Sequence, residues 1–182
     1  QYNQVAEDVD LFLHANEMDF LCGSSGNVGE EIGPPGTAKN ALCVSAAQTD
    51  PNENNFGDGN NGPTDEGRRK PEIFGPGCAI TSAENGTACG INMNNYGNVC
   101  ATSWATPAIA GTAALIRQYY VEGWYPSGTR QPHLGFIPTG ALIKATLLNS
   151  TLNMTGIAGY PGNQEGWGLV RLNNVLFLPG NA

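Results

Sequence analysis

From Ala105 to Ile116 the chain reads Ala-Thr-Pro-Ala-Ile-Ala-Gly-Thr-Ala-Ala-Leu-Ile, and no charge appears until Arg117. A helix that is apolar or tiny on every side must be covered on every side, and its small residues let the neighbouring elements approach closely. The rest of the chain therefore has to supply a core around it. The residues leading in are Val99-Cys100-Ala101-Thr102-Ser103-Trp104. Ser103 stands at the helix mouth, where unpaired N–H groups and the positive end of the dipole favour a developing alkoxide or oxyanion. Taken by itself, the same spacing also describes Thr102 or Ser103 as an ordinary helix cap. Pro107 falls about one turn in, where its fixed φ and missing N–H are expected to cost nothing.

Short apolar strands and helices alternate around this helix. Val9 to Asn16 reads as an amphipathic helix, Asp19 to Gly23 as a buried strand and Ala41 to Ala46 as a second strand. Thr49 to Thr64 is rich in Asn, Asp, Gly and Pro, which is loop chemistry. Pro71 to Gly77 reads as a strand running into a turn. Cys78–Ala83 and Tyr96–Ala101 are spaced to pair as a hairpin leading to Ser103. Gly140 to Leu148 reads as a helix, and Gly166 to Leu172 closes the unit. This alternation points to an α/β fold with a mostly parallel sheet covered on both faces.

The chain has 182 residues, enough for one substantial core and a single domain. Only 13% of residues are charged, about half the usual share. A net charge of −8 argues against nucleic acid as a partner, and Arg68-Arg69-Lys70 is too short to make a basic patch. No apolar run approaches the roughly 20 residues needed to span a bilayer. No signal peptide is present, so the start reads as a mature or internal N-terminus. The five cysteines lack metal-ligand spacing, and no metal site is assigned. Cys78–Cys89 and Cys89–Cys100 are both open as local pairs, and the odd count leaves one thiol free or bonded outside this chain. Asn85, Asn149 and Asn153 each begin an N-glycosylation sequon. Together with few lysines and the acidic balance, they favour a secreted or lumenal setting, in which disulfides persist.

Several segments resemble, in order, those of subtilisin-like serine peptidases (subtilases). Thr102-Ser103-Trp104-Ala105-Thr106-Pro107 with Ala110-Gly111 resembles the family's nucleophile motif. Phe20 to Gly29 resembles the strand that ends in Gly-Asn-x-Gly, and Pro35 to Ala46 the Pro-x-Thr-Ala-Lys-Asn strand. Gly62 to Ile73 is similar to the Gly-Pro-Thr-x-x-Gly-Arg-x-Lys-Pro-Asp-Ile segment. Pro76-Gly77 and Gly166-Trp167-Gly168 also match. The resemblance covers nearly the whole chain and implies the three-layer subtilisin-like fold, of which residues 1–182 would be the C-terminal portion of one domain.

The resemblance implies that Ser103 is the nucleophile and that the Asn27 side-chain amide, with the Ser103 N–H, binds the oxyanion. It places Ser24, Ser25 and Gly26 along one wall of the pocket for the substrate side chain preceding the cleaved bond. Gly33, Pro34, Pro35 and Gly36 fall at the pocket's far end, where a cis Pro34–Pro35 bond is expected. Two residues depart from the pattern. Ala101 stands where the family usually has Gly, so a methyl is expected to crowd or adjust the turn, and Trp104 stands where Met is common. No cofactor is required for such catalysis. Structural calcium is frequent in the family, but no loop here, including the acidic stretch Asp50 to Asp65, is specific enough to name as its site.

The nucleophile also needs a base, and the base an orienting carboxylate. The family order is Asp, His, Ser. His14 precedes the oxyanion strand and lacks the His-Gly-Thr-His-type setting, while His133 follows the serine in a Gln-Pro-His loop. Neither fits, so the Asp and His are expected on an upstream segment of the same precursor, giving a two-chain enzyme that acts on protein or peptide substrates. The sheet would then have an unfinished apolar edge on this chain. Two other readings are a catalytically dead subtilisin-like domain used for protein binding and a non-enzymatic processed fragment.

Overall fold

The strand β2 (Leu42–Ala47) is buried at every position and forms the axis of the molecule. In a computed structural model describing residues 1–27, 29–49, 51–83, 93–95, 99–154 and 159–179, it pairs in parallel with β1 (Cys22–Ser24) on one side. On the other side it pairs in parallel with β4 (Ile73–Pro76), and at its end antiparallel with β3 (Phe56–Asp58). The sheet continues from β4 in parallel to β8 (Leu169–Val170), which pairs antiparallel with β7 (Thr151–Leu152). The main strand order is therefore β1-β2-β4-β8-β7, with β1 at an edge. β5 (Thr81–Ala83) and β6 (Met93–Asn95) make a separate antiparallel pair.

Side chains alternate along β2. Leu42, Val44 and Ala46 join Ile73 beneath the helix α2 (Thr102–Val121) and its neighbour α3 (Gly140–Asn149), packing on Ala105, Ile109, Ala113, Ile116, Ile143 and Leu147. Ala47, on the opposite parity, packs with Phe74, Leu169, Met154 and Phe56. The sheet and α3 cover only part of the small-residue helix: Ala110, Gly111, Ala114 and Leu115 stay exposed, so the cover expected on every side is not supplied by the described residues of this chain. Close approach also depends on glycines in β4 and just beyond it. A Cβ on Gly75 would stand 2.7 Å from Ile109 Cγ1, and one on Gly77 would stand 2.9 Å from the Ala101 carbonyl oxygen.

The helix α1 (Gln4–Ala15) begins earlier than its apolar side indicates, because Asn3 caps it by accepting from the Val5 and Ala6 N–H groups. It is anchored to the segment before β2: Ala6 and Leu13 pack on Ala38 and Ala41. Asp10 accepts from the N–H of Asn40 at 2.7 Å and of Lys39 at 2.9 Å, and from the Tyr2 hydroxyl. Burial alone would raise the Asp10 pKa, but these three donors outweigh it and hold the carboxyl below its ordinary value.

Four expectations require correction. The strand read at Asp19 to Gly23 forms only at Cys22–Ser24. The stretch read as pure loop contains β3. Pro107 lies in the interior of α2, sixth from its start, so its missing N–H leaves the Ser103 carbonyl without a helical partner. The disulfide joins Cys78 to Cys100, and not either of them to Cys89. Cys78 and Cys100 face each other across an antiparallel bridge with Cα atoms 4.0 Å apart, so the hairpin registers them directly; Cys89 lies outside the described residues. Cys22 and Cys43 are free, and burial first, then the Glu72 charge, pushes both thiols up to about 12.

The segment with three consecutive basic residues also has an interior role. Lys70 is buried and donates to the Ala38 carbonyl at 2.8 Å and to Glu72 Oε1 at 2.6 Å. Lys144 on α3 reaches the same carboxylate oxygen at 3.2 Å and also bonds the Lys39 and Ala41 carbonyls. The other oxygen, Glu72 Oε2, accepts from the Cys43 N–H at 2.6 Å. One carboxylate therefore ties β4, β2 and α3 together. Burial lowers the Lys144 pKa, while Glu72 pulls it the other way.

Candidate active site

Ser103 is the second residue of α2 and is exposed. The first four N–H groups of a helix have no partner within it. At this end Thr102 N–H donates to Asn27 Oδ1 at 2.7 Å, and the N–H groups of Trp104 and Ala105 turn back to the Ala101 carbonyl. The Ser103 N–H is left without a partner among the described residues. Ala101 sits at φ −153° and ψ 138°, extended backbone that any residue adopts, so its methyl meets no conformational penalty where the family usually has Gly. The turn is not crowded by its shape.

Asn27 follows β1 and reaches the same helix end. Its Oδ1 accepts both the N–H and the hydroxyl of Thr102, at 2.7 and 2.8 Å. Thr102 is fully buried, so this anchor is rigid. With Oδ1 held, the Nδ2 end of the amide makes no hydrogen bond among the described residues. Two N–H donors, one from a side chain and one from the backbone, thus belong to the helix end that carries Ser103 and have no partner among the described residues. That arrangement can stabilise negative charge forming on an oxygen held beside the serine.

The other residues singled out from the sequence divide by exposure. Ser24 is exposed, whereas Ser25 is buried and turns its hydroxyl to Ser45 Oγ at 2.6 Å, supporting β1 from beneath. Gly26 has φ +104°, in the region that favours glycine. Gly33 is exposed, Pro34 half-buried and Pro35 exposed, and the Pro34–Pro35 bond is cis. Gly36 is buried between Ile32 and Cys43. Asn149 is exposed at the end of α3, and Asn153 is exposed after β7; Asn85 lies outside the described residues.

Neither histidine belongs to this cluster. α2 has 20 residues and is about 30 Å long. Ser103 is at its start, and His133 lies in a short 3-10 turn past its other end, where the Phe136 N–H bonds the Tyr120 carbonyl. His14 sits in the last turn of α1, next to Leu13, which shares a groove with Ala113 and Ala114. Those residues are about 15 Å along α2 from the serine. Among the described residues no group of three or more His, Cys, Asp or Glu could hold a metal ion.

Two contributors were not singled out by the sequence. Thr102 was legible only as a possible cap, and its two bonds to Asn27 depend on β1 being brought to the helix end. Asn60, inside the stretch read as loop, donates its Nδ2 to the Glu31 carbonyl at 3.1 Å and its backbone N–H to the Gly26 carbonyl at 3.2 Å. No local pattern distinguishes it from the other asparagines of that loop.

Known proteins resemble this chain in sequence and in fold. The sequence model described as "Subtilase family" matches residues 2–168. The chain belongs to the subtilase family. Among curated relatives, the serine protease/ABC transporter B family proteins tagB and tagD of Dictyostelium discoideum are 36% and 34% identical over 154 residues, covering 70% of this chain. The chain spans only 8% of the length of each. Among solved structures, a lanthipeptide protease shares the fold with a TM-score of 0.65 at 20% identity, over 93% of this chain and 53% of that one. The patellamide maturation protease PatA gives 0.65 at 23% identity, over 93% of this chain and 54% of the other. This subtilase chain therefore spans about half of the peptidase chains whose fold it shares. Its sheet is the mostly parallel one of that fold, and β1, the strand that leads to Asn27, lies at its edge.

Proposed function

We propose that this chain is the nucleophile-bearing part of a serine endopeptidase whose general base and orienting carboxylate, a His and an Asp, come from an upstream segment. The observation that carries the reading is the shared helix end: Asn27 bonded through Oδ1 to Thr102, with its Nδ2 and the Ser103 N–H left over as donors. In this reading Ser103 Oγ attacks the peptide carbonyl carbon and its proton passes to the His. The carbonyl oxygen, now negative, accepts from Asn27 Nδ2 and the Ser103 N–H. Collapse expels the amine, which takes the proton from the His, and water then hydrolyses the acyl-serine by the same route.

The edge position of β1 supports an upstream partner segment. Beside it a groove of about 520 Å³ is lined mainly by apolar residues, among them Phe20, Cys22, Ala110 and Ala114, with Asp19 and Arg117 also on its wall. A further parallel strand on β1, with its connection in this groove, would cover both the open edge and the exposed flank of α2. The occupant we assign is the upstream segment, since the solved peptidases have nearly as much chain again. Ser24, Gly26 and the Gly33–Gly36 turn would line the pocket for the substrate side chain preceding the cleaved bond. Substrates are proteins or peptides, in line with the lanthipeptide protease and the patellamide maturation protease among the solved proteins that share the fold. Sequon use at Asn85, Asn149 and Asn153 and a secreted or lumenal site belong to the same reading. No helix among the described residues is long and apolar enough to cross a membrane.

The test is labelling of the full-length protein with a fluorophosphonate, followed by peptide mapping. Label on the peptide containing Ser103, lost in Ser103→Ala, is the expected result. Folded full-length protein that takes no label beside a labelled subtilisin control would overturn the reading.

A further inference from the structure

One residue, Asn60, joins the end of β1 at Gly26 to Glu31 and so closes the base of the loop that Asn27 opens. Asn60 is only 5% exposed. Its backbone N–H donates to the Gly26 carbonyl, one residue before Asn27, and its Nδ2 donates to the Glu31 carbonyl, one residue after Glu30. Gly26 lies flat on the Asn60 amide, and a Cβ there would collide with it. The contact extends one residue further, where Glu31 and Asn61 form a parallel bridge. The geometry points to Asn60 as a positioning residue for the Asn27 amide, a role that rests on the reading of Asn27 as an oxyanion donor.

Thr102 fixes only the tip of the Asn27 side chain. Where Nδ2 lies also depends on where the Asn27 backbone leaves β1, and that is set by the two bonds from Asn60. A donor contributes fully only if it is already at hydrogen-bond distance when charge develops, so sub-ångström drift of its backbone reduces the rate more than it weakens substrate binding. Asparagine suits the position because its amide nitrogen reaches past Gly26 to the Glu31 carbonyl while its flat face packs against the glycine. Leucine has similar bulk and cannot make that bond.

The test uses the full-length protein with Asn60→Leu and Asn60→Ala, each alone and combined with Asn27→Ala. Single replacement is expected to lower kcat about tenfold with KM changed less than about twofold. In the Asn27→Ala background the same replacement should change kcat by less than about twofold. Hydrogen exchange read in parallel should show the amides of Gly29 to Glu31 exchanging about tenfold faster, with β2 and α2 unchanged. Equal losses of kcat in both backgrounds, or unchanged exchange in that loop, would overturn the positioning role. If Asn27→Ala itself leaves kcat intact, the oxyanion reading has failed instead; the exchange data then decide whether Asn60 closes the loop at all.

Discussion

At the scale of residues, the site depends on how few groups are left unsatisfied. Of the four N–H groups opening α2, three are used by Asn27 and the Ala101 carbonyl, and the fourth belongs to the serine. Asn27→Ala removes one of the two candidate donors together with the acceptor that caps Thr102. Turnover is expected to fall by about 10²–10³, the magnitude known for the side-chain donor of subtilisin in the same family, with KM little changed. Steady-state kinetics on a peptide amide substrate measure this, and an unchanged kcat would remove Asn27 from the chemistry. The helix end at Ser103 and the turn at Asn27 were legible in the sequence because each sits in a short motif whose neighbours are small or turn-forming. Thr102 and Asn60 were not legible in these roles. Their partners are 75 residues away for Thr102 and 29 for the Asn60 side chain, and only the parallel pairing of β1 on β2 brings them together.

At the scale of elements, legibility followed hydrophobic patterning. α2, α3, β2 and β4 were legible because each has a long apolar or small-residue run. The start of α1 was missed because its first turn is polar and depends on Asn3, and β3 because three residues in an Asn-rich loop show no alternation. Pro107 shows the opposite failure, in which a residue read as harmless near a helix start lies in its interior because the helix begins at Thr102. α1 is anchored by a carboxylate and is therefore sensitive to acid. The Asp10 carboxyl is held below its ordinary pKa, so its contribution to stability is complete above that value and is lost as pH falls through the lowered one. Hydrogen exchange across an acid titration should show the α1 amides losing protection below about pH 4 before those of α2 do. Asp10→Asn should weaken that protection at neutral pH and flatten its acid dependence; an unchanged acid profile in the variant would place the titrating group elsewhere.

At the scale of the whole molecule, one buried carboxylate connects parts far apart in the chain. Glu72→Gln would leave the Lys70 and Lys144 ammonium groups beside a neutral amide, with Lys70 fully buried. Breaking a buried pair in this way typically costs about 3–5 kcal/mol. Urea unfolding of the full-length protein should show a loss of that size, and a loss below about 1 kcal/mol would mean that the backbone carbonyls around the two lysines hold the charge without it. No sequence pattern separates this lysine from its neighbours, the half-buried Arg68 and the exposed Arg69, since its burial depends on the Ala38 carbonyl and the Glu72 carboxylate that the fold brings to it. The order of the sheet was legible in outline, while the pairing of the cysteines was not, because it depends on a hairpin register. That register has a further consequence. Between Cys78 and Cys100 the molecule is a closed covalent ring, connected once through the peptide chain and once through sulfur. A single cut anywhere between residues 79 and 99, including one made by a neighbouring copy of a peptidase, would open the ring without releasing either part. The serine would stay fastened to β4 after its own chain had been severed.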